Sequence, residues 1–165
     1  MSLISNPNSR VVVTGTGILC PLGLNTTTTW EGLVAGKSGI DHITLFDSEP
    51  CETKFAGEVK GFEPTDYISR KDARRMDRFA QMAIAASLEA VEQSRIQINS
   101  MNEDDIGVIV GSGIGGLTTL YEQVKLLLEK GPTRVSPFLV PMMITDMAAA
   151  QISIRSEEPS CRERV

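Results

Sequence analysis

Three groups of residues have types and spacings that chemistry can use. The first is glycine. In "DIGVIVGSGIGGLTTLYEQVK", residues 105–125, an apolar segment runs into Gly111, Gly113 and Gly116, which satisfy G-x-G-x-x-G, and then into a helix-like pattern. Such a loop cradles a pyrophosphate when it opens a βαβ unit and an acidic side chain about 20 residues on holds the ribose. Here the helix pattern leads into "EKGPTRVSPFLVP", which starts no strand, and no acidic residue fills that place. A nucleotide-binding domain therefore ranks last among the readings. The glycines are read as packing positions that let another segment lie against the backbone, and "TGTGI" at the end of the first apolar run repeats the feature.

The second group is thiol and imidazole. Cys20, Cys51 and Cys161 are odd in number and contain no C-x-x-C pair, which argues against a disulfide scaffold or zinc site and fits a reducing, cytoplasmic setting. His42, the single histidine, stands in "GIDHITLFD" and reads as an ordinary loop residue. A mechanism that uses two imidazoles cannot be assembled from one.

The third group is cationic. Lys71, Arg74, Arg75 and Arg78 fall at i, i+3, i+4 and i+7, so a helix would carry them on one face. Residues 70–78 hold five basic and two acidic side chains, a local excess of +3 in a chain of net charge -5. Spacing alone makes this a solvated helix face.

The elements that must position these groups follow from pattern. "RVVVTGTGI" and "DIGVIVGS" read as buried strands. "TTWEGLVAG" reads as a short helix capped by Asn25 or its threonines and stopped at Gly36. Residues 37–66 are irregular around a brief strand in "KFAGEV". A long helix is expected from about Arg70 to Ser94; its alanines at 80, 83, 85, 86 and 90 allow close packing on more than one face. An amphipathic helix over "LTTLYEQVKLLLEKG" ends at Gly131, and "SPFLVPMMITDMAAAQISIR" starts with two prolines and becomes another apolar helix. Strands alternating with helices imply an α/β architecture with parallel strands. A chain of 165 residues usually makes one domain, and 41% hydrophobic with 22% charged residues is a soluble globular composition. No apolar run has membrane-spanning length, "MSLISNPNSR" lacks the pattern of a secretory signal, and the acidic balance argues against a general nucleic-acid binder.

Taken in order, "RVVVTGTGILCPLG", "TWEGLVAGKSGI", "KFAGEV", "ISRKDARRMDRF", "GVIVGSGIGG" and "RVSPFLVP" resemble the N-terminal part of the β-ketoacyl-acyl-carrier-protein synthase II family, thiolase-like condensing enzymes of fatty-acid synthesis. The likeness is collinear from about Arg10 to Arg155, with residues 1–9 an extension and 156–165 an atypical polar tail. It implies the incomplete N-terminal half of a thiolase-like α/β fold, a mixed sheet packed with helices. In the family a cysteine thiolate takes an acyl group from acyl carrier protein and two histidines assist decarboxylation of malonyl-carrier. The resulting carbanion then attacks the acyl thioester, and no cofactor or metal takes part.

The resemblance also assigns residues. Lys71, Arg74 and Arg75 match positions that dock acyl carrier protein, an acidic partner. Ile114, Phe138 and Leu139 match positions lining the acyl pocket near the interface of the family homodimer. The nucleophile's T-A-C or S-A-C motif belongs about a dozen residues after "AAAQISIR", where this chain reads "SEEPSCRERV". Cys161 comes too early and lacks small apolar neighbours, and His42 matches neither family histidine. The chain is expected to be inactive alone and marginally stable, with exposed strand edges. The alternative expectation is a non-catalytic partner of a full-length synthase.

Overall fold

A computed structural model describes residues 10–99 and 102–155; Cys161, the N-terminal extension and the polar tail lie outside the described residues. Helix α1, Thr26–Val34, begins where Asn25 Oδ1 accepts from Thr28 N–H at 2.8 Å, an N-cap that satisfies one of the donors a helix start leaves free. A two-stranded antiparallel hairpin follows, β1 Asp41–His42 with β2 Phe55–Ala56, in the register Asp41 to Ala56 and His42 to Phe55. Glu58 ties the hairpin's loop by accepting from Thr44 N–H, Thr44 Oγ1–H and Leu45 N–H at 2.9, 2.7 and 3.0 Å. The rest is helical: α2 Arg70–Ala73, α3 Arg78–Ser94, α4 Leu117–Lys130, α5 Leu139–Met143 and α6 Met147–Arg155.

Helix α3 is the axis. Ala80, Ile84 and Ala85 are buried along it and meet Ala148 and Ile152 of α6, while Ile68, Ala73 and Met76 close one end of the same cluster. The alanine run does pack on two sides. Opposite α6, residues 15–18 lie so close to α3 that a Cβ on Gly17 would overlap the Ala86 carbonyl and one on Gly15 the Ala90 carbonyl. The Asp72 carboxylate links α2 to α6 through Arg155, 3.3 Å away. The Ser69 hydroxyl and then Arg155 hold that carboxyl below its ordinary range.

Three sequence expectations are corrected. "VVVTG" and "GVIVG" form no strands among the described residues: Val11, Val13 and Ile109 are 95%, 84% and 98% exposed, and the only sheet is the antiparallel hairpin. A strand needs a neighbour to take its backbone donors. Just beyond the first run α3 side chains take the backbone donors instead, Gln93 Oε1 accepting from Thr16 N–H and Glu89 Oε2 from Ile18 N–H at 2.9 Å. The helix expected over Arg70–Ser94 is broken at Arg74–Asp77. Asp77 Oδ1 accepts from Phe79 N–H at 3.4 Å and starts α3 afresh, and Gln81 Nε2 donates to the end carbonyls of Ala73 and Met76 at 2.9 and 3.1 Å. His42 lies in β1, exposed, rather than in a loop. Helix α4 ends at Gly131 as expected, while the last apolar segment divides into α5 and α6 at Ile144–Asp146.

Candidate functional site

The break between α2 and α3 redistributes the cations. Lys71, Arg74 and Arg75 stay exposed, and none of them joins an ion pair among the described residues. Arg78 turns inward, donating through Nη2 to the Val59 carbonyl at 2.8 Å with its guanidinium 5.2 Å from the centre of the Phe62 ring. The face presented outward is therefore three cations, not four, and the buried residues Met76 and Asp77 follow it directly in the chain.

Arg75 also connects this face to Phe138, in the second of the two assigned pocket segments. Its guanidinium stands 4.9 Å above the Phe138 ring, at a distance where the ring face attracts a cation. Phe138 is placed by its own loop: its N–H donates to Ser136 Oγ at 3.1 Å, and Ser136 N–H donates to Gln123 Oε1 of α4 at 2.7 Å. Leu139 follows as the first residue of α5.

The glycine loop packs where it meets α5. Gly116 N–H donates to the Met143 carbonyl at 2.9 Å, and a Cβ on Gly116 would stand 2.9 Å from Met143 Cα. Gly115 has φ +84°, the left-handed region. Gly111 and Gly113 face open space, so the packing explanation belongs to the second half of the motif alone. Beside the loop lies an open cleft of about 430 Å³ lined by Ile114, Leu117, Leu120, Met143 and Ile144, with Thr145 and Asp146 at its polar end. Ile114 lies in the wall of this cleft. Phe138 and Leu139 do not line this cleft; they sit at the other end of α5, with Phe138 beneath Arg75.

Two thiols lie among the described residues. Cys20 Sγ is 3.4 Å from Thr29 Oγ1, and that hydrogen bond lowers the thiol's pKa against the opposing effect of burial, helped by the backbone at Leu22 and Gly23. Cys51 is an exposed free thiol. The sequence reading missed the polar groups that hold the site together. Asp77, directly before an apolar run, carries an N-cap signal that was legible. Its second partner, Thr119, lies 42 residues away and carries none. No helix among the described residues is long and apolar enough to cross a membrane.

The family model "Beta-ketoacyl synthase, N-terminal domain" matches residues 8–157. The 3-oxoacyl-[acyl-carrier-protein] synthase 2 of Staphylococcus aureus (strain COL) is 53% identical over 147 residues, which cover 89% of this chain and 36% of that protein. The chain therefore spans about 36% of the length of that curated relative. Among solved structures, the ishigamide ketosynthase/chain length factor superimposes with TM-score 0.75 at 29% identity, covering 90% of this chain and 37% of the other. A ketosynthase solved in complex with its type II polyketide acyl-carrier protein gives TM-score 0.70 at 23% identity, covering 89% and 38%. The described helices and hairpin thus match about a third of the ketosynthase fold, of the thiolase-like kind.

Proposed function

From the premise that this chain belongs to the β-ketoacyl synthase family, we propose that it is the carrier-docking and acyl-facing part of a 3-oxoacyl-acyl-carrier-protein synthase of cytoplasmic fatty-acid elongation. The observation that carries the reading is the 53% identity over 147 residues, joined to an exposed cationic face that makes no ion pair among the described residues and to an apolar cleft. In the whole synthase the acyl group passes from the carrier's thioester to a cysteine thiolate, releasing the carrier thiol. Malonyl-carrier then loses carbon dioxide, and its carbanion attacks the acyl thioester and expels the thiolate. This segment supplies recognition. Lys71, Arg74 and Arg75 attract an acidic carrier, which raises association rate and fixes orientation. Ile114 forms the cleft wall toward the acyl chain, while Phe138 and Leu139, at the other end of α5, meet the chain outside this cleft.

The test is carrier affinity. Arg74→Glu with Arg75→Glu should weaken binding of an acidic acyl carrier protein at low salt, and the deficit should shrink as salt screens exposed charge beyond about 10 Å at 0.1 M. Unchanged affinity at low salt would refute docking at this face.

One observation favours a second reading, a non-catalytic partner of a full-length synthase. Leu117, Leu120, Tyr121, Val124, Leu127 and Leu128 of α4 form an apolar stripe at helical spacing, and all six are exposed. A second synthase subunit, or a second copy in a homodimer, would bury that stripe. Co-purification with an intact synthase, abolished by Tyr121→Glu, supports this reading.

A further inference from the structure

Asp77 is a carboxylate only 7% exposed, and no cation pairs with it among the described residues. Three donors hold it instead. Thr119 N–H and Thr119 Oγ1–H donate to Oδ2 at 2.9 and 2.6 Å, and Phe79 N–H donates to Oδ1 at 3.4 Å. Phe79 lies in the first turn of α3 and Thr119 in the first turn of α4, so one carboxylate caps two helices at their positive ends. Helix α4 needs this outside cap because its own N-cap residue, Gly116, has no side chain to offer. Glycine is in turn required there by more than the Met142 and Met143 backbone: a Cβ on residue 116 would stand 3.1 Å from Asp77 Oδ2.

What this carboxylate joins is unequal in chemistry. On its own strand of chain it directly follows Arg74, Arg75 and Met76. Across the two Thr119 hydrogen bonds it fixes the start of α4, whose Leu117 and preceding Ile114 line the cleft. We propose that Asp77 is a positioning residue that sets the register between the cationic docking face and the apolar cleft, so that a carrier held by the first presents its acyl chain to the second. The inference rests on the carrier-docking reading given above.

The experiment uses the full 165-residue chain and has two arms. The first needs no carrier. Thr119→Val keeps the side chain's shape and removes one of the donors to Asp77. Amide NMR signals of residues 71–75 should move together with those of 114–117; signals of 71–75 that stay fixed would overturn the proposal. The second arm compares affinity for an acidic carrier bearing a saturated acyl chain with affinity for the unacylated carrier. Two buried methylenes are enough to favour the acylated form about tenfold. Asp77→Ala should collapse that preference while leaving affinity for the unacylated carrier within about twofold, well below the tenfold that marks a lost contact. Asp77→Asn, which keeps one acceptor oxygen, should restore part of it. Equal weakening of both carrier forms would mean that Asp77 only supports folding, and the proposal fails. A native chain with no preference for the acylated form refutes the acyl cleft itself, and the amide signals then decide the positioning claim alone.

Discussion

Arg75 lies within the break between α2 and α3 and Arg78 three residues on opens α3, and their guanidinium groups go to different tasks. Arg78 donates to the Val59 carbonyl and lies on Phe62, a bond from a charged donor to a partly buried acceptor. Arg78→Ala should cost about 1–2 kcal/mol of stability, read by chemical denaturation, with carrier affinity unchanged. Arg75→Ala should do the reverse, weakening carrier binding while leaving the denaturation midpoint nearly in place. The four cations were legible in the sequence because spacing survives without a structure. Their division into three outward and one inward was not. It depends on the helix restarting at Asp77 and on Phe62 and Val59 meeting Arg78 from an earlier turn, and the second of these leaves no local pattern.

At the scale of elements, the segment 15–18 shows how a strand-like sequence acquires another fate. Its β-branched neighbours favour extended backbone, yet it joins no sheet, and donors at Thr16 and Ile18 end on Gln93 and Glu89 of α3. Glu89 also accepts from Thr26 N–H at 2.7 Å, so it holds the start of α1 as well. Burial opposes ionisation of Glu89, but the Thr26 and Ile18 donors outweigh it and lower its pKa. A carboxyl whose folded pKa lies below its unfolded one stabilises the fold above the unfolded value, and that contribution disappears as pH falls through the folded one. Protection of the Ile18 and Thr26 amides from hydrogen exchange should therefore be full near neutrality and decline as pH drops below about 4, the ordinary glutamate range. Glu89→Gln should show lower protection throughout and no such decline. Helix α3 itself was legible from its alanine run, and its core is testable: Ile84→Ala, at a residue 1% exposed, should cost roughly 2–5 kcal/mol.

For the whole molecule, apolar surface is unevenly distributed. The interior cluster around Ile68, Met76 and Ile84 lies between α2, α3 and α6, while α4 turns its polar Thr119 inward and its leucines outward. A hydrophobic stripe of that length on a free surface marks an interface. The chain should therefore associate with rising concentration in sedimentation experiments, and Tyr121→Glu with Leu128→Glu should shift it toward monomer. The amphipathic period of α4 was plain in the sequence; which face meets the protein was not, because periodicity gives a stripe without saying what covers it.

The cationic face and the α4 stripe make different claims on a partner, and a single measurement separates them. Adding an acidic acyl carrier protein to the isotopically labelled chain should perturb the amide signals of Lys71, Arg74 and Arg75 first, with the perturbation reaching Phe138 through Arg75. A footprint centred on Leu120, Val124 and Leu128, with the signals of residues 71–75 unmoved, would contradict the account.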